Sequence, residues 1–74
     1  MTPLPIITSR ECIKALQKAG YYIDRQKGSH VTLMRDDPKG RVTVPDHTGD
    51  LARGTLRSII RQAGLTVDEF VELL

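Results

Sequence analysis

Lys27-Gly28-Ser29-His30-Val31-Thr32-Leu33-Met34-Arg35 decides how this chain folds. Lys27-Gly28 makes a tight turn, because glycine tolerates the backbone angles that such a turn demands. Strict alternation then follows from Ser29 to Arg35. Val31 and Leu33 fall on one face, and His30, Thr32 and Met34 fall on the other. A strand covered on one side by helices would bury Val31 and Leu33 and turn His30 to solvent. Upstream, Tyr21 to Gln26 reads as a strand with Tyr21 and Ile23 on the core side. Downstream, Asp36-Asp37-Pro38-Lys39-Gly40 is a strong turn. Arg41 to Val44 forms the third strand, with Val42 and Val44 facing the core and Arg41 and Thr43 on the open face. Pro45 ends it. The short connections imply an antiparallel meander.

Helices flank this meander. Thr8-Ser9-Arg10-Glu11 has capping-box spacing, with Thr8 as N-cap and Glu11 three residues on. Cys12, Ile13, Leu16 and Ala19 recur at helical spacing, and Gly20 stops a helix that runs from about Ser9 to Ala19. After the polar loop Asp46 to Asp50, a second helix begins between Leu51 and Thr55, with Thr55 a candidate N-cap. Leu56, Ile59, Ile60 and Ala63 form its apolar stripe, and Gly64 closes it. Thr66-Val67-Asp68-Glu69 repeats the capping-box spacing before a short last helix carrying Phe70, Val71, Leu73 and Leu74. No repeat or low-complexity segment interrupts the chain. The expectation is one α+β domain over residues 1–74, a three-stranded antiparallel sheet with helices on one face.

A 74-residue chain buries only about 60% of its unfolded surface, so a shallow surface site is expected rather than a deep cofactor pocket. Cys12 is the only cysteine. It permits no internal disulfide and no thiolate metal cluster, and its helical position suits a buried, inert thiol. No apolar run approaches the roughly 18 residues of a membrane span, and the N-terminus lacks a cationic-then-apolar signal region. The chain reads as cytoplasmic, without membrane attachment. All eleven Lys and Arg lie between Arg10 and Arg61 together with six of the nine acids, so residues 1–61 carry +5 and residues 62–74 carry −3. A basic body of this kind attracts phosphates, and equally an acidic protein partner.

His30 is the candidate for chemistry. Imidazole exchanges protons near neutral pH, and Arg25, Lys27 and Arg41 flank it. Gly28 lets a nucleic-acid backbone approach, and Ser29 offers a hydrogen bond to phosphate. RNA supplies its own nucleophile, the 2′-hydroxyl. A single placed imidazole contributes typically ~10²–10⁴-fold by general acid–base catalysis, and a neighbouring cation stabilises the charged transition state. No metal or cofactor is required. DNA, lacking the 2′-hydroxyl, resists this route. The plain alternative is a surface histidine with no task. His47, in Val44-Pro45-Asp46-His47-Thr48-Gly49, fits a loop histidine bonded to backbone better than a second proton carrier. No ligand spacing links His30, His47, Asp46 and Asp50 into a metal site. Arg53, Arg57 and Arg61 stand four apart on one helix face, either a solvated stripe or a phosphate track. Tyr22 is either a base-stacking ring on the open sheet face or edge packing.

Lys27-Gly28-Ser29-His30, Val44-Pro45-Asp46-His47, the block Leu51 to Leu65 and Asp68-Glu69-Phe70, in that order, resemble the HicA (YcfA-like) mRNA interferase toxins. The match covers nearly the whole chain. The resemblance implies a fold similar to a double-stranded-RNA-binding domain, α-β-β-β-α, and an endoribonuclease that cleaves mRNA. It implies a HicB antitoxin that binds the toxin and masks its histidine; the free toxin is expected to be monomeric. It places the catalytic role on His30. Many members carry a second histidine next, where this chain has Val31. Lys27, Gly28, Ser29, Arg25, Arg41, Arg57 and Arg61 are the expected RNA-binding residues. Two other readings remain open: an RNA-binding module without catalysis, and a protein that only binds an acidic partner.

Overall fold

The structure is a computed structural model that describes residues 2–74. The Thr8 hydroxyl accepts from the Glu11 N–H at 3.2 Å while the Glu11 carboxylate accepts from the Thr8 N–H at 3.0 Å. This capping box starts α1 (Ser9–Lys18) and satisfies donors the helix leaves unpaired. Ala19 is the C-cap rather than a helical residue. Gly20, at φ 100°, then turns the chain in a left-handed step that favours glycine. Gly20 N–H reaches the Gln17 carbonyl and Tyr21 N–H reaches the Leu16 carbonyl, both at 3.0 Å, which is a Schellman closure.

Three antiparallel strands follow in the order β1 (Tyr22–Lys27), β2 (His30–Asp36), β3 (Lys39–Pro45). Gly28-Ser29, not Lys27-Gly28, forms the first turn. Gly28 takes φ 59° and, among the described residues, no non-glycine has positive φ, the pattern of a II′ hairpin. The register sets Val31 against Val44 and Leu33 against Val42, all four buried on one face.

α2 (Arg53–Gln62) and α3 (Val67–Glu72) complete the order. The N-cap expected at Thr55 is absent: Ala52 occupies that position without a side-chain bond, and Arg53 is already helical. Backbone pairing fixes the helix entry instead. Thr8 and Asp50 form an antiparallel bridge, and Leu51 N–H donates to the Ile7 carbonyl at 2.8 Å. α3 begins with the second capping box, Thr66–Glu69, and delivers Phe70 to the centre of the core. Leu16, Leu33, Leu56, Ile59 and Phe70 are almost fully enclosed there. α1 and α2 lie on the Val31/Leu33 side and leave the other sheet face free. The molecule is thus two layers deep, 17 Å in its shortest extent.

The helices pack chiefly on β3, and every residue of β1 is exposed. This corrects one expectation. Ile23 does sit on the helix side, opposite Leu33, yet it is 50% exposed because the helices pack chiefly on β3 at the other edge of the sheet. Tyr21 is buried as expected, with its hydroxyl donating to the Ala63 carbonyl at 3.1 Å. Arg35 joins it, bonding the Ala19 carbonyl at 3.2 Å and the Ala63 carbonyl at 3.4 Å. One guanidinium therefore caps the C-termini of α1 and α2 together, where a positive charge suits both helix dipoles.

Candidate active site

Residues paired across antiparallel strands share a face, so the register defines the open side of the sheet row by row. Lys27, His30 and Pro45 form the first row. Arg25, Thr32 and Thr43 form the second, and Tyr22, Met34 and Arg41 the third. His30 is the first residue of β2 and is exposed, as the alternation requires. Lys27 is its direct cross-strand partner on the far side of the two-residue turn. Side chains in such a pair have Cβ atoms about 4.5–5.5 Å apart. A lysine and a histidine thus start from neighbouring positions on one exposed face of the sheet. Thr32, on the same face by alternation and in the central strand, is only 8% exposed.

The turn carrying His30 is braced from the loop after β3. Asp46 N–H donates to the Ser29 carbonyl at 2.6 Å. The Gln26 amide donates to the Asp46 carboxylate at 3.2 Å and to the Gly28 carbonyl at 3.4 Å. Buried Ser9, at the start of α1, donates from its hydroxyl to the Pro45 carbonyl at 2.6 Å. Gln26 and Ser9 are not candidates from the sequence, and Asp46 is weighed there only as a metal ligand, because polar residues in an exposed strand, a helix start and a loop leave no periodic signal. A Cβ on Gly28 would meet nothing within 4 Å, so its positive φ, rather than crowding, is what calls for glycine.

The cations divide into two groups. Lys27, Arg25 and Arg41 share the open face with His30. Arg25 is partly neutralised there by its neighbour Asp24, 2.9 Å away. Arg57 and Arg61 stand in the helix layer, beside Thr66 and Val67 at the start of α3. His47 is exposed in the β3–α2 loop, its Nδ1–H donating to the Thr48 carbonyl at 3.0 Å. It lines a hollow of about 470 Å³ with Ser9, Arg10 and Asp46. Tyr22 hydrogen-bonds Asp36 at 3.3 Å, and that carboxylate raises the phenol pKa, so the hydroxyl keeps its proton. Cys12 is enclosed, and burial pushes its thiol up to about 12. Among the described residues, no three His, Cys, Asp or Glu side chains come together to hold a metal. No helix among them is long and apolar enough to cross a membrane.

A sequence model of the HicA toxin of bacterial toxin–antitoxin systems matches residues 9–65, from the start of α1 through the close of α2. The chain belongs to the HicA toxin family. No curated protein matches it. HicA membership makes this chain the toxin member of a toxin–antitoxin partnership, and HicA toxins are known as ribonucleases, which supports an RNA-cleaving enzyme in general. The matched span holds the hairpin with His30 and the whole sheet, and it ends before α3.

Proposed function

We propose that this HicA toxin is a metal-independent endoribonuclease of mRNA in which His30 is the catalytic residue. The observation that carries the reading is the exposed His30–Lys27 pair on an uncovered sheet face. His30 takes the proton of a 2′-hydroxyl. The 2′-oxygen attacks the adjacent phosphorus, and the bond from phosphorus to the 5′-oxygen breaks. The departing oxygen gains a proton, from imidazolium or water, and a cyclic 2′,3′-phosphate remains. Lys27 holds the phosphate and offsets the charge that develops on it, a contribution general to phosphoryl transition states. Ser29 and the Gly28 backbone border the same phosphate, and Arg41 and Arg25 guide the strand along the face. Arg57 and Arg61 act from the other layer, on longer RNA. His47 is a loop brace. The whole of residues 1–74 works as one toxin domain in the cytoplasm, restrained by a HicB-type antitoxin that covers His30.

The test is induction of wild type and His30→Ala in the same cells, with growth and mRNA integrity measured, and cleavage by purified protein in excess EDTA. Loss of toxicity and of at least ~10²-fold in rate is expected for the variant, with EDTA without effect and a 2′-deoxy linkage resistant. A folded His30→Ala protein that cleaves as wild type removes His30 from the mechanism. RNA binding without cleavage by the wild type would favour the non-catalytic reading.

A further inference from the structure

The ladder between β1 and β2 slips at one position. Arg25 pairs with Thr32 and Ile23 pairs with Leu33, so Asp24 is an extra residue without a partner. Bulges of this kind re-aim side chains and concentrate near functional sites. The consequence here is specific. Lys27 and Arg25 lie on the open face, and uninterrupted alternation would add Ile23 to them and send Tyr22 to the helix side. The extra residue reverses that. Ile23 faces the helices, and Tyr22 joins the open face opposite Met34, with Arg41 beyond it. The ring is 45% exposed, although the chain has few aromatics and its other tyrosine is fully committed to the core. The hydroxyl bond to Asp36 holds the ring at the edge of this row.

We infer that Tyr22, flanked by Met34 and Arg41, is a base-stacking subsite that grips the substrate strand a few nucleotides from the bond His30 attacks. The inference rests on the ribonuclease reading and adds to it where the bases go. From His30 to Met34 is four residues, about 13 Å along a strand, within reach of a splayed single strand whose phosphates follow Lys27, Arg25 and Arg41. The face then combines the two parts that single-strand binding uses, a cationic track and an aromatic platform. Stacking accepts any base, because every base has a π-face. Selectivity at this subsite is therefore for an unpaired base rather than for one letter. A duplex keeps its bases inside and offers the ring nothing.

Binding of short single-stranded 2′-O-methyl oligonucleotides tests this without cleavage, since their 2′-oxygens carry no proton to lose. Fluorescence anisotropy is read for a base-bearing strand and for an abasic strand with the same phosphates. Wild type is expected to prefer the base-bearing strand by about tenfold, in the range of a stacking contact. Tyr22→Ala should lose that preference, bind the abasic strand as wild type does, and keep an unchanged salt slope. Tyr22→Phe should behave as wild type. Tyrosine emission of the wild type, to which the exposed Tyr22 contributes beside the buried Tyr21, should fall on binding only the base-bearing strand, and this arm needs no variant to fold. Equal loss on both strands, or no loss, overturns the subsite while leaving ribonuclease action standing. Unchanged RNA binding with weakened antitoxin pairing overturns it in favour of a protein contact. A wild type that binds neither strand at low salt overturns the ribonuclease reading and the subsite together.

Discussion

Replacing Arg35 by Met should cost this small domain more stability than any other single surface-accessible change. The guanidinium donates to the Pro38 carbonyl at 2.8 Å, to Ala19 at 3.2 Å and to Ala63 at 3.4 Å, and it lies 4.5 Å from the centre of the Tyr21 ring. Met keeps the apolar stem and removes all of these. The Ala63 carbonyl retains the Tyr21 hydroxyl and the Pro38 carbonyl is exposed to water, so Ala19 is the partly buried carbonyl left without its side-chain donor. An unmet, partly buried carbonyl costs about 1–3 kcal/mol. Loss of the cation at two helix C-termini adds about 0.3–1 kcal/mol each, and the ring contact about 0.5–1 kcal/mol. These overlap, and a total of about 2–4 kcal/mol is expected. For a domain of this size each kcal/mol shifts Tm by roughly 4–8 °C, so Tm should fall by about 10–25 °C. Urea unfolding followed by far-UV circular dichroism reads the change, with an unchanged slope. Arg35→Lys should recover little, because an ammonium cannot fork between two carbonyls. Arg35→Met combined with Tyr21→Phe should lose more than the two single changes summed, since Ala63 then has no donor left. A loss below about 1 kcal/mol for Arg35→Met, or strict additivity in the pair, would refute the idea that one side chain bolts both helices to the sheet.

Further outcomes follow from other positions. Gly40→Ala should destabilise by about 1–3 kcal/mol, measured in the same unfolding assay, because a Cβ there would run into the Tyr21 hydroxyl and stand 3.1 Å from its ring carbon. Cys12 gives a pH signature. Its thiol moves from an ordinary 9.0 to about 12 on burial, so the folded state holds a proton that the unfolded chain releases. That contribution is complete below pH 9 and is lost as pH climbs toward 12; Cys12→Ala should flatten this alkaline fall, and native protein should resist thiol alkylation at pH 8. Lys27→Gln and Arg41→Gln should each lower the salt slope for a short single strand by about one counterion, whereas Arg57→Gln and Arg61→Gln should leave it unchanged until the RNA is long enough to reach the helix layer.

Much of this architecture is legible in the residues, and the omissions share a cause. The two capping boxes, the glycine helix stops and the apolar alternation of β2 and β3 each carry a pattern tied to one backbone geometry, and each is where the spacing puts it. The bulge at Asp24 is invisible because β1 is exposed on both faces. No buried residue marks its phase, so an inserted residue changes no hydrophobic pattern. Arg35 reads as a strand-end charge until the ends of two helices, distant in sequence, converge on it. The entry to α2 escapes for the opposite reason: backbone pairing with Ile7 and Thr8 replaces the side-chain cap that local reasoning looks for. At the site, the position of His30 follows from alternation alone. The brace from Gln26 and Asp46 depends on contacts across the hairpin and loop, which no local pattern encodes.

The division of labour between the two layers explains how so short a chain affords a working surface. The valines and leucine of β2 and β3 that build the core, Val31, Leu33, Val42 and Val44, point to the helix side, and three helices are used to cover them. Nothing remains to cover the other face, which in a purely structural protein would be filled with inert polar residues. Here it carries Lys27, His30, Arg25, Arg41 and Tyr22 in three successive rows, on a hairpin fixed by a single glycine turn and tied to the β3–α2 loop. A rigid sheet is a better platform for proton transfer than a loop, because placement errors near 1 Å already erode rate. The uncovered face also imposes a requirement. On the ribonuclease reading proposed above, an imidazole left exposed meets any single-stranded RNA that reaches the face, and His30 is exposed in this fold. On that reading restraint comes from outside the chain, which accords with the toxin–antitoxin partnership that the family implies.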